Sequence, residues 1–511
     1  MAFTEITFFI FAGLVVLFYY LLPGKFQWIV LLCSSIVFYV SYGVEKLIFI
    51  VAAAFIAWRS AQKMEEIQTI KELDRNEIRA KKKMILVPTI IVLILLLLYA
   101  KIGTWAMQSI AGIFSIRSEE TFKAVVALGV SYYTFSIIGY LLDVYYKKEA
   151  AEHNFFRFFL FVIYFPKILQ GPISRHKALA PQLKQVHIFD YKEFCFGFQR
   201  VLWGYFKKMV ISDRLALFVT PVFDDYIIQS GAHLFVAACL AALQLYCDFS
   251  GCMDIVGGFS QILGLKLEEN FNHPFFSRST AEFWRRWHIT LGAWFKDYVY
   301  MPLVISPKLI SFSKVIRDKF GMRAGKSVMT VIPLLVVWLL TGLWHSTGWN
   351  YVVWGLYWGA LIIGANVFAP EIKKLTERLC INTDAESWKI FQMVRTFMLF
   401  AIGRILTIPG DLGKSMRIFK NIFFRFQIGT LFDGSLYTQG MDRPDFILSM
   451  VCILILWLVS IHQEKEQVRE SLLKCNIVFR WAVWYILLFS IVIFGIYGPG
   501  YGATSFVYAN Y

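Results

Sequence analysis

The amino-acid sequence predicts an all-α integral membrane protein, and its composition is the first observation behind this prediction. Of its 511 residues, 58% are hydrophobic and 17% are charged, whereas a soluble domain has about 45–50% apolar and about 25% charged residues. A single soluble core could not bury this excess, so a lipid environment is indicated. The chain also holds 16 Trp and 25 Tyr, which are enriched at membrane–water interfaces.

The second observation is a series of apolar runs close to the length that crosses a bilayer, which is about 20 residues for a helix. Two further segments, 193–210 and 283–303, are amphipathic and are expected to lie in the interface or to re-enter the membrane. The apolar runs predict about a dozen spanning helices, at 6–22, 26–43, 45–58, 84–100, 122–145, 155–172, 232–247, 328–345, 349–368, 388–405, 445–461 and 477–497.

The most strongly charged stretch, 59–83, is predicted to be a cytoplasmic loop. It holds eight basic and five acidic residues and ends in Lys81, Lys82 and Lys83 directly before an apolar run. Basic residues next to a span favour the cytoplasmic side. Counting three spans back places the N-terminus outside, and the first run lacks the features of a cleaved signal peptide. We therefore expect a single multi-pass domain, 1–511, in the plasma membrane.

The net charge of +16 is distributed mainly between the apolar runs. This pattern is typical of the positive-inside bias and of attraction to anionic lipid headgroups. No basic stripe or base-stacking module indicates a nucleic-acid partner. The eight cysteines form no CxxC pair, so neither a zinc site nor a disulfide framework is predicted.

Segment 268–303, EENFNHPFFSRSTAEFWRRWHITLGAWFKDYVYMPL, is dense in Trp, Arg and His. Ser279 followed by Glu282 is typical of a helix N-terminus, so a helix is predicted to begin near residue 280. The i, i+3, i+4 and i+7 spacing would place four residues on one face of this helix: Trp284, Trp287, His288 and Leu291. An interfacial helix explains the Trp and Arg residues, but a His on an apolar face needs a hydrogen-bond partner.

Segment 341–358, TGLWHSTGWNYVVWGLYW, places His345 at the end of an apolar run between Gly342 and Gly348. An ionisable residue at membrane depth is costly and is by default a functional candidate. A His that faces the headgroups from a helix end is the alternative, and position alone does not choose between them.

Two other polar groups interrupt apolar segments. Asp248 and Asp254 lie in LQLYCDFSGCMDIVGG, and Arg285 or Arg286 are predicted partners for these carboxylates; a structural ion pair and a catalytic role both remain open. The 165–175 stretch, FPKILQGPISR, predicts a broken helix that lines a cavity.

The chemistry open to His288 and His345 is limited. Imidazole can accept and return a proton near neutral pH, so a His can activate a hydroxyl for acyl transfer. No HExxH spacing, GxSxG elbow, Walker loop or GxGxxG is present. We therefore predict neither a metal nor a bound cofactor.

These segments resemble the membrane-bound O-acyltransferase superfamily, in particular its bacterial alginate O-acetyltransferase branch, which also includes teichoic acid D-alanyl transferases. The resemblance rests on the segments quoted above, on GVSYYTFSIIGYLLDVY at 129–145 and on the terminal YGPGYGATSFVYANY. It implies helices around a central pore. The family's membrane histidine matches His345, and its second motif histidine matches His288, where eukaryotic members usually carry Asn or Asp.

The resemblance also implies a reaction. An acyl group, acetyl by expectation, would pass from a cytoplasmic thioester, acetyl-CoA or an acyl carrier, to a hydroxyl of an extracytoplasmic polysaccharide or of a relay partner of the SGNH type. His345 is the predicted general base and His288 its support. Supporting or channel-lining roles are predicted for Arg285, Arg286, Trp287, Trp344, Asp248 and Asp297. The alternatives are D-alanyl transfer to teichoic acid and a polysaccharide or lipid exporter without chemistry.

Overall fold

The computed structural model describes residues 1–113 and 128–497, together with Phe506. Most of the terminal motif and the first residues of the 122–145 run lie outside these ranges. Within the described residues the protein contains α-helices and no β-strand, and Phe271 and Trp287 form one isolated bridge. The prediction of an all-α membrane protein is confirmed.

Each of the twelve apolar runs contains an α-helix, but fewer than twelve helices are long and apolar enough to cross a membrane. In the described part of the chain six helices are long and apolar enough to cross a membrane, or up to nine if each bent pair forms one span. The Ile6–Leu21 helix has 16 residues and is about 24 Å long, less than the roughly 30 Å hydrocarbon core.

The 59–83 segment is mostly helical rather than a loop. The Leu47–Thr69 helix covers its first part, and the Arg75–Ile113 helix begins after a short turn. Asp74 and Glu77 cap this second helix reciprocally, since each side chain accepts the other's backbone N–H. Lys82 is buried and donates to the carbonyls of Val144 and Tyr145 at 3.2 and 2.8 Å, so one of the three terminal lysines is a structural residue.

The described residues divide into two compact units. The first comprises the described residues of 1–202 and 252–269 together with Phe506, and the second comprises 203–251 and 270–497. The helices that lie in the first unit or begin there are Ile6–Leu21, Gln27–Val40, Leu47–Thr69, Arg75–Ile113, Val130–Tyr145, Phe155–Ile163, Phe165–Ile168, His176–Lys184 and Tyr191–Tyr205.

In the first unit, two helices meet at Gly197 and Gly258. A Cβ atom at Gly258 would lie 2.9 Å from the backbone nitrogen of Val201, so only glycine permits this approach. Next to this contact, Arg200 forms ion pairs with Asp254 at 2.9 Å and Glu269 at 2.5 Å. The predicted helix break in 165–175 is present: the chain between the Phe165–Ile168 and His176–Lys184 helices is not helical.

The second unit carries the remaining helices. They are Asp213–Asp224, Gly231–Ile262 (whose last residues belong to the first unit), Thr280–Arg286, Ile289–Phe295, Met301–Val304, Pro307–Phe320, Met322–His345, Trp349–Val367, Ala369–Arg378, Glu386–Thr407, Leu412–Phe424, Arg443–Gln463, Val468–Leu473 and Ile477–Phe494. Two π-helical turns, Phe206–Ser212 and Lys296–Tyr300, interrupt this series. Such turns are rare and occur often at functional sites.

Candidate active site

The helix that carries the first candidate histidine begins as predicted but ends earlier. Ser279 accepts a hydrogen bond from the backbone N–H of Glu282 at 3.2 Å, and the helix runs Thr280–Arg286. Trp287 is extended and bridges to Phe271, and His288 is left-handed at φ 47°. The predicted single helical face through Trp287 and His288 is therefore wrong. Tertiary pairing with a strand-like segment outweighs the local helical pattern.

The backbone turn at His288 starts a second helix, Ile289–Phe295. The carbonyl of His288 accepts hydrogen bonds from the backbone N–H groups of Leu291 and Gly292, at 3.1 and 3.2 Å. The side chain of His288 is buried and its ring packs edge-on against Phe249, at 4.9 Å between centroids. The break thus turns the imidazole into the protein interior instead of leaving it on a helix surface.

One hydrogen bond orients the imidazole of His288. Its Nδ1 lies 3.4 Å from Oδ1 of Asn270, and the same oxygen accepts the backbone N–H of Thr290 at 3.0 Å. A backbone N–H can only donate, so the Thr290 contact identifies this atom as the amide oxygen, and His288 Nδ1 must donate to it. In the neutral ring Nε2 then carries a free lone pair. Within the described residues this buried atom has no hydrogen-bond partner.

The second histidine, His345, lies at the C-terminal end of the Met322–His345 helix and is also buried. This helix and the following Trp349–Val367 helix approach closely, because the Cβ that a side chain would add at Gly342 would lie 3.6 Å from the Cα of Gly355. The close approach brings the second helix against the imidazole. The His345 ring lies 5.2 Å from Trp354 and 6.1 Å from Tyr351, measured between ring centroids.

Trp344 connects the two histidines. Its ring centroid lies 5.9 Å from that of His288 and 4.7 Å from that of His345. Both imidazoles are therefore in van der Waals range of one buried indole, although they are 57 positions apart in the chain. The structure brings His288 of the 268–303 segment together with Trp344 and His345 of the 341–358 segment.

An aromatic cluster adjoins this arrangement through Trp354, which also contacts His345. Trp284 contacts Trp338, Trp354 and Trp358 at centroid distances of 4.9, 5.7 and 5.1 Å. Phe283 stacks on Trp287 at 5.5 Å. A site with apolar walls strengthens the few polar interactions inside it.

Asp248 has a different partner from the one predicted. Its carboxylate lies 2.7 Å from Nζ of Lys208, and Asp213 lies 2.8 Å from the same ammonium; all three side chains are buried. Arg286 pairs instead with Glu282 and Glu464, and Arg285 is exposed. The predicted pairing of Asp248 and Asp254 with these arginines is therefore wrong, since Asp254 pairs with Arg200. Lys208 lies in a π-helical turn, which apolar periodicity does not reveal.

Two further residues that the sequence predicted as supporting residues differ in their surroundings. Asp297 is exposed, in the Lys296–Tyr300 turn. Trp287 is buried and contributes its ring to the aromatic cluster. Sequence reasoning missed Asn270, although this residue lies within the quoted ENFNHPFF stretch, because nothing in the local pattern shows that it will face a residue 18 positions later.

Comparison with known proteins gives a family match for part of the chain. Residues 83–315 match the model of the family described as MBOAT, membrane-bound O-acyltransferase family. The matched range includes His288 and ends before His345.

Several curated proteins are similar over about half of the chain or more. The "Probable alginate O-acetylase AlgI" of Pseudomonas aeruginosa is 29% identical over 79% of this chain and 71% of its own length. The "Peptidoglycan O-acetyltransferase" of Helicobacter pylori is 28% identical over 68% of this chain and 65% of its own length. The "Teichoic acid D-alanyltransferase" of Bacillus subtilis is 27% identical, over 48% of this chain and 60% of its own length.

The helical membrane fold and these matches show that the protein is an O-acyltransferase with multiple membrane helices. These matches confirm the resemblance to the membrane-bound O-acyltransferase family that the motifs around the two histidines predicted.

Proposed function

We propose that the protein transfers an acetyl group from a cytoplasmic thioester to a hydroxyl group on the opposite side of the membrane. The observation that carries this proposal is the contact of His288 and His345 with one buried indole, Trp344. Two imidazoles in a site with apolar walls can handle the single proton that acyl transfer to a hydroxyl requires.

In the proposed reaction His345 is the general base. It takes the proton of the acceptor hydroxyl as the oxygen attacks the thioester carbonyl. The C–O bond forms, the C–S bond breaks, and the proton passes to the leaving thiolate, so the histidine is restored. The thioester is already activated, so the protein contributes mainly by positioning the two reactants. Acetyl-CoA and an acyl-carrier thioester both satisfy this chemistry, and no bound cofactor is required.

His288 supports the reaction in this proposal. With Nδ1 donating to Asn270, its Nε2 can only accept a hydrogen bond while the ring is neutral. An incoming hydroxyl is a group that could satisfy this buried acceptor. We therefore assign His288 the role of orienting the acceptor hydroxyl toward His345.

The acceptor is proposed to be a cell-envelope polysaccharide, or a relay partner of the SGNH type that passes the acetyl group on. Acetyl is favoured over D-alanyl because the relatives named for O-acetyl transfer align with 79% and 68% of the chain, against 48% for the D-alanyltransferase. The proposed topology places the N-terminus outside and 59–83 in the cytoplasm, in the plasma membrane.

The proposal is tested with the full chain reconstituted in vesicles and labelled acetyl donor supplied on one side. His345→Ala should lower transfer by about 10²–10⁴-fold, the usual contribution of a general base. His462→Ala is the matched control, because this exposed histidine bonds to Ser471. Unchanged transfer by His345→Ala would contradict the assignment.

The same assay distinguishes acetyl transfer from the two alternative functions, D-alanyl transfer and export without chemistry. Transfer of label from a D-alanyl carrier but not from an acetyl donor would replace acetyl by D-alanyl. Polymer export without any labelled product would indicate a transporter. His288→Asn is the appropriate second variant, because Asn tolerates the left-handed backbone found at this position.

A further inference from the structure

A groove of about 500 Å³ lies in the second unit, at the end of the Met322–His345 helix opposite to His345. It is formed where the first turns of the Met322–His345 helix face the end of the Trp349–Val367 helix and the residues after it. Most of its lining residues carry polar side chains, and the full lining consists of Met322, Arg323, Lys326, Ser327, Thr330, Asn366, Val367 and Pro370.

Four of these polar side chains have no hydrogen-bond or ion-pair partner among the described residues. They are the ammonium of Lys326, the hydroxyls of Ser327 and Thr330, and the amide of Asn366. Arg323 is held in place, since its guanidinium donates to both carboxylate oxygens of Glu371, at 2.6 and 2.8 Å. The groove therefore presents several unused donors beside a fixed guanidinium.

The start of the Met322–His345 helix adds a positive field to the same place. The residue before it, Gly321, offers no capping side chain, and the first turn contains no acidic residue. The N-terminal end of a helix is favourable for anions and unfavourable for cations. Glu371 already balances the charge of Arg323, so Lys326 is the cation at this helix end that an additional negative charge would stabilise. A phosphate group, with its several acceptor oxygens, matches this arrangement.

The apolar surroundings of the groove favour a ligand that has both a charged headgroup and apolar chains over a soluble anion. Large apolar side chains are exposed at its edge: Phe320, Met322 and Phe368 are 70%, 60% and 58% exposed. The helix that starts at the groove continues as a candidate membrane span with a mean hydropathy of 2.0. Along it Leu335, Leu340 and Leu343 remain exposed, as expected for a surface that faces acyl chains.

We propose that this groove binds the phosphate headgroup of an anionic phospholipid whose acyl chains lie along the exposed face of the Met322–His345 helix. The flanking segment 307–326 carries six basic residues and one acidic residue. By the positive-inside bias the groove then faces the cytoplasm and takes its lipid from the inner leaflet.

The experiment measures binding of phosphatidylglycerol to the purified full chain, by thermal unfolding in detergent and by native mass spectrometry. Phosphatidylglycerol should raise the unfolding temperature more than phosphatidylcholine does. The K326Q/S327A double variant should bind it about tenfold more weakly, since it loses one cationic and one hydroxyl contact. K414Q removes an equal charge from an exposed position outside the groove and should bind as the wild type does.

Three results would overturn the proposal. Equal binding by K326Q/S327A and K414Q would show that the groove is not the site. Equal stabilisation by inorganic phosphate would show a soluble occupant, and equal stabilisation by phosphatidylcholine would show that the anionic charge is not recognised. If the double variant does not fold, Thr330→Val serves in its place, because it removes one hydroxyl at nearly constant volume. K326R, which keeps the positive charge that K326Q removes, should bind phosphatidylglycerol as the wild type does.

Discussion

Asn270 orients His288: its Oδ1 lies 3.4 Å from the imidazole Nδ1 and is fixed as an acceptor by the backbone N–H of Thr290. This relationship determines which ring nitrogen is exposed to a reactant. A residue that does not itself touch the substrate can therefore control the reaction through the tautomer of its neighbour.

Replacing Asn270 should impair catalysis more than binding. In Asn270→Ala the imidazole loses its orienting acceptor, and we expect kcat for acyl transfer to fall about tenfold or more with little change in KM for the donor. Thr290→Val is the matched control, because it removes the 2.7 Å hydroxyl contact with Asn270 but leaves the His288 contact in place. Equal losses in the two variants would indicate a general packing effect instead.

Trp344 should be required for transfer because both imidazoles pack against its ring. Trp344→Ala removes the indole that both imidazoles contact. We expect kcat/KM for acyl transfer by the folded variant to fall strongly. Trp344→Phe keeps an aromatic surface and should retain a larger share of the activity. Trp349→Ala is a control at a nearby position, where the side chain is 76% exposed. Normal kinetics for Trp344→Ala would show that the indole is dispensable.

The buried cluster of Lys208, Asp213 and Asp248 should be a determinant of stability. Asp248→Asn removes one of the two buried ion pairs of Lys208, and breaking a buried ion pair costs about 3–5 kcal/mol. Thermal unfolding in detergent should show a clear decrease for this variant, whereas Asp384→Asn, at an exposed position, should unfold like the wild type. An Asp248→Asn protein with unchanged stability and lost activity would contradict the structural role and favour a catalytic one.

The contact between Gly197 and Gly258 should tolerate no side chain. A Cβ at Gly197 would lie 2.7 Å from Cγ1 of Ile262 and 2.9 Å from its backbone nitrogen, so Gly197→Ala must push the two helices apart. We expect a lower unfolding temperature and a lower yield. Gly364→Ala provides the comparison, because a methyl group added at this helical glycine would meet nothing within 4 Å, and alanine there favours the helix by about 1 kcal/mol. Similar behaviour of the two variants would contradict the close packing.

The sequence predicted the helical elements well, because apolar runs and capping residues act locally. Ser279 starts a helix as its pattern indicated, and all twelve apolar runs contain helical structure. The same local reasoning failed at Trp287 and His288, where pairing with Phe271 ends the helix. Periodicity describes an isolated helix and carries no information about a distant segment that competes for the backbone.

The candidate site shows the same division. His288 and His345 could be selected from sequence because an ionisable group in an apolar segment is costly. Their partners could not. Asn270 and Lys208 are ordinary polar residues whose importance comes only from tertiary placement, 18 and 40 positions from the groups they contact.

The left-handed backbone at position 288 restricts its chemistry before catalysis is considered. Apart from glycine, the residues that occupy positive φ most readily are Asn, Asp and His, and these are the three types that the family resemblance associates with this position. A β-branched side chain at φ 47° would be disfavoured however well it filled the space. Apart from glycine, the backbone conformation at this position therefore favours Asn, Asp and His. All three have side chains that can form hydrogen bonds.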